Sequence, residues 1–159
     1  MEQPEEFLAV AEALIGHDST TSQGSVRTAV DRAYYAAFHA CIRFEKCLPL
    51  IGRLGNQSGG SHEDLIQRLE RPDPKLHGDL QLVSRALGAS LRQLKAERVR
   101  ATYKLDVPFP YGDAVIAVLD AKRICAQTQA GEQRRIQLGA NAKSLQKHSK
   151  ATVFFQLFG

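Results

Sequence analysis

Between Leu80 and Leu105, apolar or small residues return at Leu80, Val83, Leu87, Leu91, Leu94, Ala101 and Leu105, a three-four alternation that only an α-helix gathers on one face. Position 98 lies on that stripe and holds an arginine, an obligate cation that cannot shed its proton to suit apolar surroundings. A second segment repeats the pattern through Val26, Val30, Ala33, Ala37, Cys41, Phe44 and Leu48, and nothing long alternates with period two. These stripes demand an all-α fold in which each helix finds a partner face.

The breaks between periodic segments divide the chain further. A first helix is expected from Pro4 or Glu5 to Ile15, stopped by Gly16 before the polar linker "HDSTTSQG". Ser25 is placed to cap the second helix, which Pro49 ends. The segment "GRLGNQSGG" reads as a mobile connector, since it lacks the lysine of a phosphate-binding loop and follows no strand. A short helix "SHEDLIQRL" follows, with Ser61 and Asp64 in capping-box spacing, and "RPDPK" breaks it. A fourth helix spans roughly His77 to Leu105, and a fifth starts near Asp113 and is expected to fray at Gly131.

Four major helices with short connections make an antiparallel four-helix bundle the economical architecture, with the 61–70 helix an extra in the second connection. The bundle is assigned to residues 1–130, and residues 131–159 to a basic extension with an apolar end, "ATVFFQLFG", that docks on the body or on a partner. The helices containing Tyr34 and Arg98 then run antiparallel as neighbours. Matching Ser25 to Leu105 puts Asp31 close to Arg98 and sets Arg27, Tyr34 and Tyr35 within a turn of Tyr103.

The net charge of +4 conceals an asymmetry: residues 1–70 carry 6 Lys/Arg against 10 Asp/Glu, and residues 71–159 carry 15 against 7. A cationic second half suits a phosphate-bearing partner or a well-solvated surface. Three cysteines without a C-x-x-C pair point to a reducing compartment rather than to zinc or a disulfide framework. An acidic N-terminus and the lack of a long apolar run complete the expectation of a cytoplasmic protein without a membrane span.

"AVDRAYYAAFHAC", "SHEDLIQRL" and "LRQLKAERVRATYKLD", followed by "DAVIAVLDAKRI", together resemble the HEPN domain family (higher eukaryotes and prokaryotes nucleotide-binding), in its branch of small stand-alone proteins, over roughly residues 5–128. The resemblance implies a helical bundle, commonly a homodimer, that acts on RNA or a nucleotide in toxin-antitoxin, CRISPR-associated or other defence systems. Many members are metal-independent ribonucleases marked by an arginine followed four to six residues later by histidine. Arg98 matches the arginine. Tyr103, Lys104 and Leu105 stand where the histidine would be, and from Arg100 the positions hold Leu105, Asp106 and Val107. The departure points to a weak or degenerate ribonuclease, or to a non-catalytic module docking on a nucleotidyltransferase or a larger effector complex.

The candidate residues follow from both lines. Arg98 is either a bidentate phosphate-binding cation or the partner of Asp31 in an ion pair that fixes helix register. Tyr103, the second catalytic candidate, either orders a nucleotide or caps the core with its hydroxyl at the surface. Arg100 is off the stripe and suits a solvated or phosphate-steering charge. Of adjacent Tyr34 and Tyr35, one points inward and the other, taken as Tyr35, lines a cleft. His62 heads the short helix, where its imidazole or the helix N-terminus would meet an anion. His39 reads as a satisfied helix-face residue, with Arg43 rather than a ligand at i+4, so no metal site is assigned and no cofactor is expected.

Overall fold

The computed structural model describes residues 3–16, 20–55 and 59–158, with side chains as far as residue 142. Its described elements are all helical: α1 (Pro4–Ile15), α2 (Gln23–Cys47), α3 (Ser61–Glu70), α4 (Gly78–Tyr103) and α5 (Tyr111–Phe158). The fold is all-α, as the periodicity requires.

Cross-helix contacts give the directions. Glu5 meets Arg43 while Phe7 meets Tyr35 and His39, so α1 runs antiparallel to α2. Arg27 reaches the Ala101 carbonyl while Asp31 meets Arg98, so α2 runs antiparallel to α4. Arg100 meets Asp113 and Asp79 meets Arg134, making α4 and α5 antiparallel as well. By the same reasoning α2 and α5 are parallel, because Gln23 bonds the Phe109 carbonyl just before α5 and Arg43 bonds Glu132.

The α2 stripe forms the centre: Val26, Val30, Ala33, Ala37, Cys41 and Phe44 are buried, with Leu48 at the margin. Their small members let α1 and α5 approach closely, and Ala36 and Ala40 meet Cys125 on another side of α2. On α4, Leu80, Leu87, Leu91, Leu94 and Ala101 are buried as expected. Each fully buried leucine or phenylalanine adds roughly 1.5 to 3 kcal/mol relative to exposure. α3 is more than an insert, since Leu65, Ile66 and Leu69 all join the same core. Gly88 allows that docking: a Cβ there would stand 2.9 Å from the Glu70 amide nitrogen and 3.1 Å from the Leu69 Cβ.

Several boundaries differ from expectation. Ser22, not Ser25, caps α2, accepting from the Ser25 amide at 3.2 Å, because a cap serves the residue three places on. Ser61 is the first helical residue of α3 rather than its cap, which is Gly60 at φ 82°; Asp64 still reaches back, accepting from the Gly59 amide at 3.0 Å. α4 ends at Tyr103, leaving Leu105 off the stripe and 69% exposed. The reason is Arg27, which donates to the carbonyls of Ala101, Lys104 and Val107 and so ends the helix with a side chain from α2. α5 does not fray at Gly131 but continues through it, with Phe44 and Val83 packed against the bare Cα. The connector's described ends are pinned to α3, Gly55 donating to the Gln67 side chain and Arg53 to the Arg71 carbonyl. Docking of the 151–159 end falls outside the described side chains.

Candidate functional site

Arg98 leaves the α4 stripe to meet α2. Its Nε donates to Asp31 Oδ1 at 2.9 Å, and its Nη2 lies 3.5 Å from the Tyr35 hydroxyl, the outer limit of a hydrogen bond. The guanidinium carbon stands 5.4 Å and 5.3 Å from the ring centroids of Tyr34 and Tyr35, within cation–π range. Arg98 and Asp31 side chains are 19% and 20% exposed, so the pair is neither sealed nor fully solvated.

The other oxygen of the Asp31 carboxylate, Oδ2, pairs with Arg32 at 3.2 Å. One carboxylate therefore serves two guanidiniums from two helices, and the group keeps a net positive charge. Arg32 in turn lies 5.8 Å from the Phe7 ring centroid and 5.7 Å from that of Tyr35. Phe7 stacks on His39, centroids 5.4 Å apart and planes 3° from parallel, so α1 contributes an aromatic wall.

α3 closes another side. The Tyr34 hydroxyl and His62 Nδ1 are 2.9 Å apart, and the imidazole rests on Phe38 with centroids 4.2 Å apart. Burial, then the positive charges of Arg98 and Lys95 and the His39 ring, hold the His62 pKa below its ordinary value of 6.5. A neutral imidazole near neutral pH is a proton acceptor, two side chains away from the arginine. Glu63, beside His62 on α3, bonds Lys95 at 2.8 Å and Arg92 at 2.9 Å, and those hydrogen bonds depress its carboxyl pKa despite desolvation. Burial above all raises the Tyr34 phenol, so it stays protonated.

Asp31, Tyr35, His62 and Arg98 are thus brought together. Arg100 is not: it points toward α5, held by Glu97 at 2.7 Å and Asp113 at 2.5 Å and lying 4.4 Å over the Phe109 ring. The adjoining groove of about 480 Å³ is lined by Arg100 together with Glu97, Asp113 and Asp120, so the guanidinium there is already matched by carboxylates. Tyr103 is 70% exposed, which rules out the core-capping role and leaves its ring in solvent. Sequence reasoning passed over Arg32 and Phe7. The only signal for Arg32 was its place next to Asp31, and nothing in the sequence set Phe7 apart from the other apolar residues of α1. Among the described residues, no three histidine, cysteine or acidic side chains stand together to hold a metal ion, and no helix is long and apolar enough to cross a membrane.

These features define an all-helical protein with a partly exposed arginine–carboxylate–tyrosine cluster between α2 and α4, flanked by a neutral histidine. No family profile, curated protein or solved structure matches the chain.

Proposed function

We propose that this is a HEPN-type, four-helix, cytoplasmic protein that binds RNA or a nucleotide through Arg98, as a weak or degenerate ribonuclease of a defence or toxin-antitoxin system. The observation that carries the reading is a guanidinium on an apolar stripe that is nonetheless one-fifth exposed and shares the Asp31 carboxylate with a second arginine. A cation kept for structure alone gains nothing from that surplus positive charge. A phosphate does, because it takes bidentate hydrogen bonds from a planar fork. His62 is the group best placed to move a proton, which compensates in part for the histidine missing after Arg98.

The protein acts as a homodimer in this reading. Tyr103 at the end of α4, and Leu105 and Val107 just after it, are 70%, 69% and 60% exposed, apolar surface that a second copy would cover. Gel-shift titrations of single-stranded RNA across a salt series test the proposal. Phosphate contacts give an affinity that falls steeply with salt, and Arg98→Leu should weaken binding and flatten the slope by about one unit. Salt-independent capture of a protein partner with no RNA affinity would instead favour the non-catalytic docking module.

A further inference from the structure

We infer that the groove between α1 and α2 beside Arg32 is a nucleobase subsite, so that the protein takes single-stranded RNA with one base seated there and the adjoining phosphate between Arg32 and Arg98. The inference rests on the phosphate reading of Arg98 and adds the part of the ligand that reading leaves unspecified. The groove is about 500 Å³ and is lined by Glu6, Phe7, Val10, Thr28 and Arg32. Its lining is what a base needs. Phe7 is a partly buried ring held rigid by its stack on His39, and Val10, 46% exposed, gives a second apolar wall. Arg32 is a planar cation already lying against two aromatic rings, and it is 38% exposed at its side chain. Glu6, exposed on the first turns of α1, offers a carboxylate acceptor for an exocyclic amine, and the Thr28 hydroxyl, which donates to the Gly24 carbonyl at 2.7 Å, retains acceptor capacity.

The link to the phosphate site is Asp31, which holds Arg32 with one oxygen and Arg98 with the other. A phosphate arriving between the two guanidiniums therefore lies next to the groove mouth, and the base attached to it has an aromatic and cationic surface within reach. A duplex does not fit this arrangement, because its bases are already paired and stacked. Single strands bind proteins in this way, with backbone charge and base stacking as separate contributions.

The test compares a short oligoriboadenylate with the matching abasic oligomer, by calorimetry at one salt concentration, on the full chain. The wild type should prefer the base-bearing strand by about 5- to 150-fold, the range for stacking one base on an aromatic side chain. Val10→Trp, from a half-exposed position, fills the groove without removing a core contact, and should abolish that preference while leaving the abasic strand's affinity unchanged. Phe7→Ala should also abolish the preference, and circular dichroism checks that the helical content of α1 is kept. Arg98→Leu should weaken both strands. Equal binding of the two strands by wild type, still reduced by Arg98→Leu, would overturn the base subsite and leave the phosphate reading standing. Failure of both strands to bind wild type at low salt would overturn the phosphate reading and this inference with it.

Discussion

In the proposed reading, Arg98 serves structure and ligand at once. Removing a buried partner from a sealed ion pair costs about 3 to 5 kcal/mol, because the remaining charge is stranded. Here Asp31 keeps Arg32 as a second partner and is itself one-fifth exposed. Arg98→Leu should therefore leave the melting temperature unchanged or raised, as the leucine completes the α4 stripe, while RNA affinity falls by roughly 2 to 3 kcal/mol, the worth of a charged hydrogen-bond pair. Differential scanning calorimetry beside the gel-shift titration checks both halves, and a lower melting temperature with undiminished binding would make the residue architectural. His62 carries a separate prediction. Its folded pKa lies below the ordinary 6.5, so the unfolded chain binds the proton more readily. The contribution is present above the unfolded value and is lost as pH falls from there toward the depressed folded value. The Glu63 carboxyl loses its contribution further down, below its own ordinary 4.5. His62→Gln should flatten the upper part of the acid-side decline in stability and leave the lower part in place, as urea denaturation at a series of pH values would reveal.

At the scale of the helices, ends and approaches decide more than propensity. Ser22→Ala should cost about 1 kcal/mol by orphaning the Ser25 amide, whereas Ser25→Ala leaves that amide and its acceptor intact and should cost less. Thermal melts of the two variants give the comparison directly. Gly88 makes a stronger case. In an isolated helix, glycine to alanine is favourable by roughly 0.5 to 1 kcal/mol. In this protein the added methyl would meet the backbone of Glu70 at 2.9 Å, so α3 must shift as a unit. Gly88→Ala should be destabilising by about 1 to 3 kcal/mol, the usual cost of overpacking, and a gain in stability would show that α3 is more loosely held than its contacts indicate. The chelate of Glu45 by Arg68, at 2.7 and 2.9 Å, and the double hold of Arg92 on Glu63 and Glu70 explain why α3 is tied at both its neighbours.

For the whole molecule, the charge asymmetry is redistributed by folding. Among the described side chains, four of the fifteen basic residues of the second half are spent on carboxylates of the first: Arg92 on Glu63 and Glu70, Lys95 on Glu63, Lys122 on Glu12 and Arg98 on Asp31. Net charge in the second half therefore overstates the free positive surface, and the proposed phosphate site rests on the Arg32–Asp31–Arg98 group rather than on the overall balance. The proposed dimer is testable on this scale. Multi-angle light scattering should give twice the chain mass at tens of micromolar, an order of concentration at which standard-sized interfaces hold. Leu105→Glu, from a 69% exposed position outside α4, should shift the mass toward the monomer without lowering the melting temperature of the monomer itself.

The all-α fold, the centres of the first four helices, the start of the fifth and the buried faces of α2 and α4 were legible in the sequence, because a three-four repeat has one solution that keeps apolar side chains together. The antiparallel pairing of α2 and α4 was legible too, since short connections leave few arrangements, and it brought Asp31 to Arg98 as the register predicts. Helix ends were less so: Ser22 and Ser25 are chemically equivalent caps, and the stop after Tyr103 depends on Arg27 from a different helix. The membership of the site was decided by tertiary structure. Arg98 and Arg100 are two residues apart and equally basic, but the turn of the helix sends one to Asp31 on α2 and the other to Asp113 on α5. Phe7 and Arg32 acquire their roles only when α1 lies against α2, and His62 only when α3 carries it to the Tyr34 hydroxyl. Periodicity fixes which face of a helix is buried; which neighbour meets each polar residue at the edge of that face depends on packing between helices distant in sequence.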